Sequence, residues 1–183
     1  MASPSQAPKN KIVSKFFKAI TAGLTKRYTA PPLGVEPVSG FEPERYLGRW
    51  YEIKRLDHSF ERNATRVYAE YSLRDDGKIK VVNTAYSTAK QDWVSIEGYA
   101  RFQGDPNIAS LSVTFFWPIT AGYHVIDLDH DNYQWALVTG PSRDYLWILA
   151  RKTTLPTEIT ERLTNYAKEL GYDISTLIDV DHS

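Results

Sequence analysis

The sequence of 183 residues contains no cysteine, and its acidic and basic side chains cancel. The absence of cysteine excludes a disulfide framework, a zinc site with thiolate ligands, thiol catalysis and a cysteine-linked lipid anchor within these residues. With 22 basic and 22 acidic side chains, the chain lacks the excess positive charge that nucleic-acid binding requires, so we expect no nucleic-acid partner. A chain of this length buries roughly two thirds of its unfolded surface, so one domain can fold without disulfides or metal.

The charge is distributed unevenly along the chain. Residues 1–35 hold six basic side chains and no acidic one, whereas the other 148 residues hold 16 basic and 22 acidic side chains. Between these lysines, apolar side chains recur every four residues, at Ile12, Phe16, Ile20 and Leu24. The pattern predicts a basic amphipathic arm that contacts an anionic membrane surface through residues 9–28, and a solvated tail or processing remnant is the alternative. The lysines leave no uncharged run as long as a signal-peptide core or a membrane span. We therefore divide the chain into an arm with a Pro-rich linker, 1–33, and a domain, 34–183.

From Trp50 onward, short β-rich runs alternate with turn residues at a spacing of roughly ten residues. After the last run the periodicity becomes helical, with one apolar face formed by Ile159, Leu163, Tyr166, Ala167 and Leu170. We predict an all-β fold: an eight-stranded antiparallel up-and-down β-barrel with a C-terminal α-helix packed outside and the basic arm before it. The predicted strands are 49–56, 65–74, 78–87, 93–103, 109–117, 122–128, 132–139 and 144–151.

The last predicted strand is apolar on both faces, so both faces need cover. We expect the helix to cover Tyr51, Ile53, Leu146 and Ile148. Trp147 and Trp50 then point into the barrel, and Arg151 lies on the same side at the barrel end.

Three motifs in the expected order resemble the signature of the lipocalin family. Gly48-Arg49-Trp50-Tyr51 opens the first strand with the family's Gly-x-Trp motif, and Arg151 follows the last strand. Asp129 matches the acidic residue of the second motif, although the usual Thr-Asp-Tyr is Leu128-Asp129-His130 here. Longer segments are similar to the bacterial outer-membrane lipocalins and also to apolipoprotein D, namely 46–53, 71–77 and 144–151. The resemblance covers residues 34–178.

The resemblance implies a barrel that holds one small hydrophobic ligand and whose floor is closed by an arginine stacked over the signature tryptophan. Gly48, Trp50, Asp129 and Arg151 are then structural residues. For the bacterial members it implies binding and storage or transport of lipids, chiefly fatty acids and lysophospholipids, in membrane maintenance on the periplasmic side of the outer membrane. Those members are usually anchored through a lipidated cysteine. Either that anchor was removed from this sequence, or the basic arm replaces it, or the protein is soluble.

The candidate ligand-binding residues share the inward face of the predicted strands: Val67, Ala69, Tyr71, Leu111, Val113, Phe115, Trp117, Tyr123, Val125 and Trp147. The alternative is that these side chains fill the core and leave no cavity. Glu52 shares the face of Trp50 and is expected to be a buried polar group near the floor. The loop after the first strand would overhang the mouth, where His58, Arg62 and Arg66 could meet a phosphate or carboxylate head group. A solvated loop is the alternative there.

Patterns for catalysis or metal binding are missing from the sequence. The four histidines are scattered, and no nucleophile elbow or His-Glu metal spacing occurs, so we predict no enzyme, no metal and no cofactor. The expected partner is a small hydrophobic ligand, bound by a monomer or homodimer. The alternative function is a membrane-surface interaction protein with a filled core that acts through its basic arm.

Overall fold

The computed structural model of the protein describes residues 29–57 and 63–183. In these residues a single antiparallel sheet closes on itself, and a longer α-helix packs on its outer face. The helices are α1 (Pro43–Tyr46) and α2 (Thr157–Glu169), and a short 3-10 helix spans Ile174–Thr176. The strands are β1 (Gly48–Leu56), β2 (Ala64–Leu73), β3 (Ile79–Ser87), β4 (Asp92–Phe102), β5 (Ser110–Phe116), β6 (Ile119–Leu128), β7 (Trp135–Thr139), β8 (Leu146–Ala150) and β9 (Leu177–Asp179).

The strand order confirms the predicted eight-stranded up-and-down barrel. Strands β2 to β8 pair in sequence, β8 pairs with β1, and β1 pairs with β2 to close the ring. The ninth strand, β9, pairs with the upper part of β1 and was not predicted, because three residues are too few for a periodic signal.

Two predicted strand boundaries differ from the structure by three residues, each because of a turn. Phe116 pairs with Ile119, so Trp117 and Pro118 form the whole turn and β6 begins three residues earlier than predicted. β7 begins three residues later, at Trp135, since the Asp129 carboxylate accepts hydrogen bonds from the main-chain N–H groups of Asn132 and Gln134. Side-chain bonding of this kind holds the chain in a turn and removes its donors from a strand ladder.

The outer layer forms as the helical periodicity predicts. Leu163 and Ala167 of α2 are fully buried against β1, β6, β7 and β8, and the cluster includes Ile53, Leu146 and Ile148. Tyr51 was also expected there; its ring instead lies tilted beside Tyr68 and edge-on to His182, so that expectation is wrong. The helix ends in a Schellman motif, in which Tyr172 N–H donates to the Ala167 carbonyl. Gly171 has a φ of 85°, in the left-handed region that favours glycine.

Bulges shift the alternation of side chains in the first two strands. In β1 the register slips between Glu52 and Lys54, so both Glu52 and Arg55 lie opposite interior side chains of β8. In β2 the register slips between Thr65 and Tyr68, and Arg66 has a positive φ of 51°. Bulges of this kind re-aim single side chains without ending the strand. They decide which residues of β1 and β2 reach the barrel interior.

Candidate functional site

One end of the barrel is closed by Trp50 and Arg151. The guanidinium carbon of Arg151 lies 4.0 Å from the centre of the Trp50 ring, a favourable cation–π geometry. The same guanidinium donates hydrogen bonds to the main-chain oxygens of Arg45 at 2.6 Å, Arg49 at 3.0 Å and Tyr133 at 3.2 Å. Trp50 is fully buried, and its indole N–H donates to the Tyr46 carbonyl. One arginine therefore joins the segment before β1, β1 itself and the β6–β7 turn into a floor.

Gly48 provides the close approach that this floor requires. Its φ is 93°, and a Cβ at this position would lie 3.3 Å from Nη1 of Arg151. Both the backbone conformation and the space favour glycine over any residue with a side chain. Gly48 is therefore part of the floor, as is Asp129, which holds the adjacent β6–β7 turn.

Above the floor, three tyrosine hydroxyls meet inside the barrel. Tyr123 Oη lies 2.8 Å from Tyr46 Oη and accepts from Tyr71 Oη at 3.0 Å. Burial raises the pKa of all three phenols, so they are neutral donors at physiological pH. Three O–H groups make two hydrogen bonds here, which leaves one proton for a water or a polar atom of a ligand. The rings of these three tyrosines also line a small apolar cavity of about 10 Å³.

The interior wall is apolar and partly open. Side chains that pack along the interior cluster yet remain partly exposed include five of the predicted ligand-binding residues: Ala69, Val113, Phe115, Tyr123 and Trp147. A side chain inside a closed barrel keeps exposed area only where space remains in front of it. The interior thus keeps accessible apolar surface on several strands, from Ala69 opposite Trp50 to Trp147 on β8.

A charged pair also lies in this wall. Arg55 is 2% exposed, and its Nη1 is 3.5 Å from Oε2 of Glu52, while its Nη2 donates to the Ala64 carbonyl at 3.3 Å. Burial raises the pKa of Glu52 to about 7, and the positive charge of Arg55 opposes that rise. Glu52 therefore carries its proton for part of the time near neutral pH. It is the polar interior group that the sequence predicts.

The predicted ligand-binding residues divide into two groups and one exception. Val67, Tyr71, Leu111 and Val125 face inward but are buried, whereas the five side chains of the open wall are partly exposed. Trp117 is the exception, because β5 ends at Phe116 and the Trp117 side chain is 83% exposed in the β5–β6 turn. The prediction that Trp117 lines the interior is wrong, since its alternation was extended past the end of the strand.

Of the three predicted head-group residues, Arg66 is the one that lies within the described residues. His58 and Arg62 lie outside the described residues, as does the basic arm 9–28. Arg66 is on the outer face, where its Nε donates to the Ser183 carbonyl at 2.6 Å and its guanidinium covers the Tyr86 ring at 5.0 Å. The head-group assignment is therefore wrong for Arg66, because the β2 bulge turns its side chain away from the interior.

Sequence reasoning missed several interior residues. Phe41 and Tyr46 precede β1 and belong to the floor, where the Phe41 and Tyr46 rings are 5.1 Å apart. Arg55 reaches the interior only because of the β1 bulge, which no local sequence signal marks. Tyr46 had an available signal, since it lies four residues before Trp50 in the motif segment and stacks on it at 4.6 Å.

No helix in 29–57 or 63–183 is both long enough and apolar enough to cross a bilayer. In the same ranges, no cluster of three or more histidine, aspartate or glutamate side chains is arranged to hold a metal ion.

A closed antiparallel barrel with a sealed floor and an accessible apolar interior defines a class of proteins built as a cup for one small hydrophobic molecule. The comparisons with known proteins agree with this class. Residues 41–182 match the family described as Lipocalin-like domain. The protein therefore belongs to the lipocalin family, whose members bind small hydrophobic ligands.

Two relatives and one solved structure show how far the similarity extends. The chain is 49% identical over 148 residues to Outer membrane lipoprotein Blc of Escherichia coli (strain K12), covering 81% of this chain and 83% of that protein. It is 35% identical over 162 residues to Apolipoprotein D of Macaca fascicularis, covering 84% and 81%. Insecticyanin from the tobacco hornworm Manduca sexta has a similar fold, with a TM-score of 0.66 and 23% identity over 84% of this chain and 88% of that chain.

Proposed function

We propose that the protein binds a lipid with a single acyl chain, a fatty acid or a lysophospholipid, and stores or transports it inside the barrel. The observation that carries this proposal is the partly exposed apolar wall inside a barrel with a sealed floor, formed by side chains such as Ala69, Val113 and Trp147. A linear acyl chain fits such a site because it needs apolar surface along its length and polar contacts only at its end.

The energetics favour an acyl chain of ordinary length. Each buried methylene group contributes about 0.8 kcal/mol, so about ten of them give the roughly 8 kcal/mol of a micromolar complex before the cost of association. Because association itself costs several kcal/mol, we expect chains longer than ten carbons to bind best.

The relatives support a role at the bacterial cell envelope. Proteins at 49% identity are named outer membrane lipoproteins, and we propose that this chain works in the same place, in membrane maintenance on the periplasmic side of the outer membrane. The membrane-surface contact through residues 9–28, the division of the chain at residue 34 and the choice between monomer and homodimer stay predictions.

We also propose that binding involves no chemical step on the ligand. The hydroxyl–imidazole pair that the structure does contain, Ser110 Oγ and His124 Nδ1 at 3.0 Å, lies on outward-facing positions of β5 and β6 and cannot reach a ligand in the cup. Lipid extracted from the protein after long incubation should therefore be unchanged in mass. A modified lipid would show an enzymatic activity instead.

The proposal is tested by substituting one wall residue. Ala69→Phe places an aromatic ring on the partly exposed inner face opposite Trp50, and we expect the affinity of the delipidated protein for a long-chain fatty acid to fall at least tenfold. Binding is measured by quenching of tryptophan fluorescence, with Trp147 in the wall as a reporter. Ser72→Phe, on the exposed outer face of the same strand, is the matched control and should bind normally. If wild-type protein binds neither fatty acid nor lysophospholipid at micromolar concentration, the proposal is wrong.

A further inference from the structure

The seam between β1 and β2 is closed in two different ways. Near the floor, residues 48–51 of β1 pair directly with residues 68–71 of β2. Toward the mouth the two strands no longer pair, and residues 54–56 of β1 pair with β9 instead. The segment 177–183, which we call the strap, therefore fills the upper half of the seam.

The strap connects the two strands with main-chain hydrogen bonds. On the β1 side, Val180 N–H donates to the Ile53 carbonyl at 3.0 Å, and His182 Nε2 lies 2.7 Å from the Glu52 carbonyl oxygen. On the β2 side, Arg66 N–H donates to the Asp181 carbonyl at 2.6 Å, and Arg66 Nε donates to the Ser183 carbonyl. These contacts occupy strand groups that a direct β1–β2 ladder would otherwise pair.

The strap also completes the inner wall. The Val180 side chain is 9% exposed and packs in one cluster with Ala64 and Val67 of β2. Val67 belongs to the inward-facing row that continues through Ala69 to Tyr71. Without Val180 the cup would have a lateral opening beside the charged pair of Glu52 and Arg55.

This part of the wall has the weakest pairing in the barrel. Three residues of the strap pair with β1, whereas the ladders between neighbouring barrel strands have from four paired positions, as between β1 and β2 or β4 and β5, to nine between β3 and β4. Its attachment to β2 depends on Arg66, a non-glycine residue held at a φ of 51°. Such backbone strain costs of order 1–3 kcal/mol, which lowers the free energy needed to detach the strap locally.

We propose that the strap is a lateral gate, and that an acyl chain enters and leaves the cup through the β1–β2 seam when the strap detaches from β2. This inference rests on the proposed lipid-binding function and concerns its control. The floor half of the seam stays paired, so the barrel opens at one side without losing its closure. A chain leaving sideways could pass directly between the cup and a lipid layer.

A disulfide lock tests the gate, and the absence of native cysteine makes the lock specific. Val67→Cys with Val180→Cys joins the strap to β2 when oxidised. We expect exchange of a bound fluorescent fatty acid to be at least tenfold slower in the oxidised form than in the reduced form of this double variant, which serves as its own reference. Dithiothreitol should restore fast exchange.

The matched control locks the floor half of the same seam. Arg49 and Glu70 are directly paired and their side chains are exposed, so Arg49→Cys with Glu70→Cys satisfies the short separation that a disulfide needs without touching the strap. This lock should leave lipid exchange unchanged. Equal exchange rates for the oxidised and reduced strap lock would overturn the gate.

A second measurement reports strap opening without any lipid. The single variant Val67→Cys places one thiol behind the strap, and deletion of residues 177–183 should raise its reaction rate with a maleimide at least tenfold. If the deletion variant does not fold, Val180→Asp in the full chain serves the same purpose. Unchanged thiol reactivity in a folded variant contradicts the gate. A failure of lipid binding alone, with the expected thiol reactivity, contradicts the proposed function and leaves supported only the opening of the strap.

Discussion

At the scale of single residues, Arg151 stabilises the floor more than an exposed arginine beside an aromatic ring would. It combines a cation–π contact with Trp50 and three hydrogen bonds to main-chain oxygens, which belong to three different segments of the floor. Lysine cannot reproduce this, because the planar guanidinium presents several donors in fixed directions.

Arg151→Met should therefore lower the free energy of unfolding by about 2–4 kcal/mol, the sum expected for three hydrogen bonds and one cation–π contact. Arg162→Met is the control. Its guanidinium lies 4.7 Å from the Trp135 ring and bonds Asp127, but its side chain is 51% exposed, so we expect a loss below about 1 kcal/mol. Urea unfolding of both variants measures the difference, and equal losses would argue against the floor role.

At the scale of secondary-structure elements, the barrel and α2 have separate tasks. The inner cluster contains the floor and the wall, whereas the outer cluster joins α2 to the back of β1, β6, β7 and β8. The strands between them are apolar on both faces, as β8 shows in the sequence. Stability and ligand binding can therefore be changed separately.

Leu163→Ala tests this separation. Leu163 is fully buried under α2, so its truncation should lower the free energy of unfolding by about 3 kcal/mol through lost burial and a cavity. Because the side chain lies outside the cup, fatty-acid affinity should stay within twofold of wild type. Thermal unfolding and fluorescence titration give the two values, and a parallel loss of affinity would show that the outer layer shapes the cup.

At the scale of the whole molecule, two buried titratable groups limit stability at opposite ends of the pH range. Burial raises the pKa of Glu52 to about 7. The contribution of neutral Glu52 to the free energy of unfolding is therefore greatest at acid pH and is lost as pH rises from about 4.5 through 7. Burial lowers the pKa of His124 to about 4. The contribution of neutral His124 to the free energy of unfolding is therefore greatest above about pH 6.5 and is lost as pH falls toward 4.

We expect a stability maximum between these two limits, measured as Tm from pH 4 to pH 9. Relative to wild type, Glu52→Gln should gain Tm as pH rises from 5 to 8, because it cannot ionise. Relative to wild type, His124→Gln should gain Tm as pH falls from 6.5 to 4 for the same reason. A constant offset from wild type for either variant would show that the group does not titrate in this way.

Much of the fold could be predicted because its signals are local. Alternation and turn residues predict eight strands, the 3.6-residue period predicts α2, and the motif around Trp50 with Arg151 places the floor. The open wall follows for residues in regular strand, such as Ala69 and Val113. The predictions fail at Trp117 and Arg66, where a strand ends or bulges and the alternation no longer gives the direction of the side chain.

The sequence by itself determined the barrel, its outer helix and the apolar interior, because periodicity and burial are properties of neighbouring residues. Only the tertiary structure decided that Arg55 lies inside, that three tyrosine hydroxyls meet above the floor and that residues 177–183 fill the upper seam between β1 and β2. These features join residues that are distant in sequence, and bulges with no local sequence signal set their register.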